Sequence, residues 1–98
     1  MSIKISGYNF EGPYESTDNL YESSGVYVIL FINGSGQYVP VDVGGSDGIK
    51  TRVAKHDRKD CWKKHSQGRI FVAVFYTINW VDLEKFIRNQ FNCPCGDH

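Results

Sequence analysis

Residues 26–32, Val-Tyr-Val-Ile-Leu-Phe-Ile, are apolar at both alternating positions and rich in β-branched side chains, which predicts a strand buried on both faces. Asn33-Gly-Ser-Gly36 follows as a turn, since asparagine and glycine tolerate positive φ. Residues 37–43 then alternate, with Val39, Val41 and Val43 expected on one face and Tyr38, Pro40 and Asp42 on the other. Pro40 cannot donate a ladder hydrogen bond, so this second strand is expected at an edge or with a bulge. Together the two segments predict a β-hairpin.

Gly44-Gly-Ser-Asp-Gly48 leads into a helix expected from about Ile49, in which Ile49 and Val53 share a face and Arg52 and His56 share another. A second short helix is predicted over residues 60–67 with Trp62 as its anchor, and another buried strand over residues 70–76. A closing helix is predicted from Asp82 to about Asn92, burying Leu83, Phe86, Ile87 and Phe91, with Pro94 and Gly96 ending it. Residues 1–24 are polar and turn-rich, and predict an irregular lead-in packed on the domain through a few apolar side chains. The expected fold is an α/β (α+β) domain over residues 25–98, a small three-stranded mixed or antiparallel sheet flanked by helices in the order ββααβα.

Composition narrows this reading. At 98 residues, 41% of them hydrophobic, the chain suits one domain with a genuine core. The beginning of the chain lacks a basic stretch followed by an apolar run, and no segment is long and apolar enough for a membrane span, so a cytoplasmic protein with no membrane partner is expected. In that setting the three cysteines are expected as reduced thiols. The formal net charge is zero, but its distribution is uneven: residues 50–69 carry eight Lys or Arg against two Asp, a local +6. A polyanion responds to such a patch within a screening length of about 10 Å, more than to the chain total. Lys50, Lys55, Arg58, Lys59, Lys63 and Lys64 are therefore candidate nucleic-acid contacts, the alternative being a solvated helical face.

Four segments in order carry a family resemblance. Gly25-Val26-Tyr27 opens the first buried strand, and Asp42-Val43-Gly44 ends the next. Arg52 and His56 lie one turn apart on the following helix, and Glu84 sits in Leu83-Glu84-Lys85-Phe86-Ile87. This series resembles the GIY-YIG nuclease superfamily over residues 25–96. The resemblance implies a metal-dependent nuclease acting on DNA or RNA, with a possible protein partner supplying specificity. It implies that Tyr27 positions or deprotonates water, Arg52 stabilises phosphate charge, His56 assists proton transfer, and Glu84 ligates Mg²⁺ or Mn²⁺. The chain departs from the family in carrying Asp42 where a tyrosine is usual and Gly96 where an asparagine is usual. Asp42 is expected either to join Glu84 at the metal or to bond the backbone of the 44–48 loop. A binding module that has kept the fold and lost catalysis is the alternative function, and a protein-interaction domain the third. A zinc site from Cys61, His65, Cys93 and Cys95, with His98 nearby, ranks behind free thiols, because Cys-x-Cys is not a usual zinc-finger spacing.

Overall fold

The computed structural model describes residues 1–66 and 69–95. Five strands and three helices follow one another as β1 (Ser2–Ile5), β2 (Tyr8–Tyr14), β3 (Gly25–Ile32), β4 (Tyr38–Ser46), α1 (Ile49–Ala54), α2 (Lys59–Ser66), β5 (Phe71–Tyr76) and α3 (Trp80–Gln90). A single 3₁₀ turn, Thr17–Asn19, sits between β2 and β3. The strands form one sheet in the order β1-β2-β5-β3-β4, antiparallel at every junction.

The expected three-stranded sheet is therefore corrected to five strands, because residues 2–14 form a hairpin rather than an irregular lead-in. Ile3 and Ile5 alternate with exposed Ser2 and Lys4, and Phe10 is fully buried. Ser6 and Gly7 both take positive φ, 51° and 87°, which is the backbone of a two-residue hairpin turn whose twist matches its strands. β2 then pairs with β5 through an irregular register around Gly12-Pro13, where a prolyl nitrogen could not have donated to the ladder.

β3 lies between β5 and β4, so both of its faces are covered, as its composition requires. Its even residues Val26, Val28 and Leu30 join Phe10, Val43 and Ala73 beneath α3, which contributes Ile87 and Leu83. Its odd residues Tyr27 and Ile29 join Val72 and Val74 beneath α1 and α2, which contribute Ile49, Val53 and Trp62. The β3–β4 turn is fastened by Asn33, whose Oδ1 accepts from the N–H groups of Ser35 and Gln37 at 2.9 and 3.0 Å.

β4 is an edge strand and also bulged. Ile29 faces Asp42 while Leu30 faces Pro40, which leaves Val41 without a partner in the register. The extra residue moves the side-chain alternation by one. Val41 thus packs on the α1–α2 side with Ile29, and Val43 packs under α3. The expectation that Val39, Val41 and Val43 share one face fails at this bulge. Asp42 turns toward α2 for the same reason.

α3 begins two residues earlier than expected and buries Ile87 completely, whereas Phe86, expected in the core, is 45% exposed. The two neighbours give a direct test of the packing. Ile87→Ala should lower the unfolding free energy by about 2–5 kcal/mol, the cost of a cavity in a closed core. Phe86→Ala should lower it far less, by roughly 1 kcal/mol, as a substitution at the surface does. Urea denaturation of both variants checks the prediction, and equal losses would contradict the face assignment.

Candidate functional site

Tyr27 and Gly44 face each other across β3 and β4. A Cβ at residue 44 would collide with the Tyr27 hydroxyl and ring, so glycine is what lets the phenol lie flat against β4 and reach toward α1. At the end of that reach the Tyr27 hydroxyl meets His56 Nε2 at 2.6 Å, in a place where Tyr27 is 1% and His56 4% exposed. The other imidazole nitrogen, Nδ1, accepts the Arg58 backbone N–H at 3.0 Å. A neutral imidazole has one donor and one acceptor. With Nδ1 accepting, the proton belongs on Nε2, which donates to Tyr27, and the phenol keeps its own proton for a further acceptor.

Electrostatics agree with that assignment. Burial pushes the Tyr27 pKa up to about 12, with the Arg52 guanidinium pulling in the opposite direction. Burial, aided by the charges of Arg52 and Arg58, lowers the His56 pKa to about 4. Both groups are neutral at physiological pH. Tyr27 is therefore suited to donate a hydrogen bond and poorly suited to act as a resting base, which favours the positioning role over deprotonation of water. Arg52 is the cation of this group that solvent reaches, its side chain 39% exposed and 3.5 Å from exposed Asp57. An exposed pair at that distance contributes little, and the guanidinium also hydrogen-bonds the Tyr27 hydroxyl.

Asp42 anchors the other side of the site. It is fully buried, and Arg58 donates through Nε at 2.8 Å and a terminal nitrogen at 3.2 Å, one to each carboxylate oxygen. Trp62 Nε1 adds a third bond at 2.7 Å. The Trp62 ring in turn packs on the His56 ring with centroids 4.6 Å apart. Asp42 is thus held by α2 and the segment before it, and not by the 44–48 loop. Glu84 lies on α3, the helix packed on the opposite face of the sheet, and its carboxylate is paired with Arg88 at 2.5 Å. Arg88 also donates to the Val43 carbonyl at 2.8 Å.

Mg²⁺ and Mn²⁺ require oxygen ligands with free lone pairs. Buried Asp42 has three of its acceptor positions taken by Arg58 and Trp62, whereas Glu84 has one oxygen paired with Arg88. Of the residues expected at the site, Tyr27, Arg52 and His56 converge, Asp42 supports them, and Glu84 is not joined to them.

The basic residues divide in the same way. Lys50, Lys55, Lys63 and Lys64 are exposed on or beside α1 and α2, the helices that cover the Tyr27 face. Arg58 is committed to Asp42, and Lys59 Nζ donates to the Ala54 carbonyl. Beside the site, a cleft of about 220 Å³ runs along Ile29, Trp62 and Val72, with Lys59, Lys63 and Tyr14 in its walls.

The cysteines depart from expectation. Cys61 and Cys95 form a disulfide with a Cα–Cα distance of 5.9 Å, linking α2 to the segment after α3. Cys93 lies outside that bond, buried in the cluster beneath α3, and burial raises its pKa to about 11. The lower-ranked four-residue zinc set is thereby divided, and the expected reduced thiols at Cys61 and Cys95 are joined instead. Gly96 and His98 lie outside the described residues.

Two participants were not legible in the sequence. Glu22 accepts the Thr51 backbone N–H at 3.1 Å and the Thr51 hydroxyl, capping the first turn of α1 from outside the helix. Arg58 closes the Asp42 clamp from 16 residues away, and no local spacing announces such a pair. No family model, curated protein or solved structure matches this chain.

The His56 shift predicts a pH dependence of stability. His56 titrates near 4 in the fold and near the ordinary histidine value of 6.5 when unfolded. The unfolded chain therefore binds the extra proton between those values. The stability conferred by keeping His56 neutral is complete above about pH 6.5 and is lost as pH falls toward 4, on the order of 3 kcal/mol in all. Urea unfolding between pH 7 and 4 should show this loss in the wild type and a flatter profile in His56→Gln. Equal slopes in the two proteins would contradict the assignment of His56 as a buried neutral base.

Proposed function

We propose that this chain is a nucleic-acid-binding domain that contacts the phosphate backbone through the helix face above Tyr27. The observation that carries the reading is the set of exposed lysines on and beside α1 and α2, together with an Arg52 side chain that solvent reaches. Backbone phosphates are the polyanion that such a surface attracts, and arginine and lysine side chains are suited to phosphate oxygens. The apolar cleft beside Lys59 and Lys63 offers a wall against which a nucleic-acid base can pack. The GIY-YIG resemblance of the four segments points to the same class of ligand. Asp42 is taken up by Arg58 and Trp62, and Glu84 lies on the opposite face of the sheet paired with Arg88, which favours binding over cleavage.

Hydrolysis is the second reading, favoured by one observation. A buried neutral phenol–imidazole pair beside an arginine is more chemistry than a binding surface requires. On that reading the chain is a nuclease in which Tyr27, His56 and Arg52 surround the scissile phosphate, and Glu84 would need to exchange Arg88 for a divalent cation.

One set of measurements separates the readings. Labelled single- and double-stranded DNA and RNA should bind with a log affinity that falls against log salt by roughly 0.9 per neutralised duplex phosphate, about 3 to 4 in total for four contacts. Lys55→Glu combined with Lys64→Glu should weaken every duplex tested and flatten that slope. Unchanged affinity in this double variant would remove the binding reading. Metal-dependent cleavage by the wild type that disappears in both Tyr27→Phe and Glu84→Gln would replace it with hydrolysis.

A further inference from the structure

Cys61 and His65 are four residues apart on α2, so their side chains leave the same face of the helix. Cys95 is brought to that face from the end of α3 by its backbone, whose N–H donates to the Val41 carbonyl at 3.0 Å. The two sulfurs and one imidazole nitrogen lie within 4.8 Å of one another. In tetrahedral zinc, with metal–sulfur bonds of about 2.3 Å and metal–nitrogen bonds of about 2.0 Å, neighbouring ligand atoms stand roughly 3.5–3.8 Å apart. The imidazole nitrogen already lies within reach of both sulfurs, which are bonded to each other in the disulfide and would part to ligand spacing on reduction. Cys93, the other thiol, is buried in the cluster on the opposite side of the sheet and is not a member.

From this juxtaposition we infer that Cys61, His65 and Cys95 are a soft-metal site of the zinc class in the reduced protein, and that the disulfide is the oxidised form of the same link. The two states interconvert by a balanced sequence. An external dithiol attacks one sulfur of the Cys61–Cys95 bond, and its second thiol resolves the mixed disulfide. The reductant leaves as its own disulfide, having given two electrons and two protons, and the chain carries two thiols. A divalent cation then displaces one proton from each thiol to solvent and forms two metal–sulfur bonds. Neutral His65 donates a nitrogen lone pair, and the net charge of the centre is zero.

The surroundings suit this role. Cys95 and Cys61 are buried and half-buried while His65 is exposed, so a fourth position is open on the solvent side. Either link holds α2 to the segment after α3 next to Trp62, the residue that binds Asp42. The inference does not rest on nucleic-acid binding.

Cobalt(II) is the probe, because its thiolate complexes absorb by sulfur-to-metal charge transfer. Protein reduced anaerobically with a phosphine should take up one Co²⁺ per chain with that absorption, and zinc should displace it. The oxidised protein, Cys61→Ser and Cys95→Ser should lack the band, and Cys93→Ser should retain it. His65→Ala should bind cobalt at least about tenfold more weakly, since loss of a ligand costs no less than loss of a residue that merely orients one. No charge-transfer band in reduced wild type would overturn the inference, as would loss of the band in Cys93→Ser or unaltered affinity in His65→Ala. If reduction alone abolishes the native circular dichroism, its return on adding zinc supports the site and its failure to return overturns it.

Discussion

The buried carboxylate of Asp42 is the interaction on which the rest of the site depends. It sits on an edge strand with no exposure to water, where an unpaired charge would cost several kcal/mol. The cost is offset by Arg58, which satisfies both oxygens, and by the indole N–H of Trp62. Those two donors belong to α2 and the segment leading into it. The clamp therefore fixes how α2 lies on the sheet as well as neutralising one residue. Trp62 then supports the ring of His56, and the Arg58 backbone N–H sets its tautomer. The orientation of the Tyr27 proton follows from that tautomer. A local electrostatic demand on β4 is in this way carried to the functional group on β3.

The same geometry explains why a carboxylate suits position 42. At position 42 a phenol would offer one oxygen to three donors, whereas a carboxylate offers two oxygens and a full negative charge. The bulge at Val41 is what turns this residue toward α2. Arg58, which lies in the basic stretch, is consequently a structural cation here, while Arg52 and the exposed lysines remain within reach of solvent. Charge counted along the sequence overstated the free positive surface for that reason.

Local patterns made much of the framework legible. The two-sided apolar runs of β3 and β5, the Asn33 turn and the helices at Ile49, Trp62 and Ile87 all follow from periodicity and turn chemistry over fewer than a dozen residues. The hairpin of β1 and β2 escaped because each strand buries only a few side chains and because Gly12-Pro13 reads as a break, although it is accommodated as an irregularity beside β5. Tyr27, Arg52 and His56 were identifiable through the order of the motifs. The Asp42–Arg58 pair, the Glu22 cap of α1 and the Cys61–Cys95 bond span 16, 29 and 34 residues, and spacing carries no signal for contacts created by the fold. Glu84 shows the converse limit: a residue with the right type and helix can still be turned to a partner of its own, here Arg88.

A double-mutant cycle on Asp42 and Arg58 tests the clamp most directly. Unfolding free energies would be measured for Asp42→Ala, Arg58→Ala and the double variant. Arg58→Ala strands a buried charge and should cost about 3 kcal/mol or more. The double variant should cost less than the sum of the two singles by at least about 1 kcal/mol, because removing both partners leaves nothing unpaired. Additive effects, with Arg58→Ala costing under about 1 kcal/mol, would contradict the account.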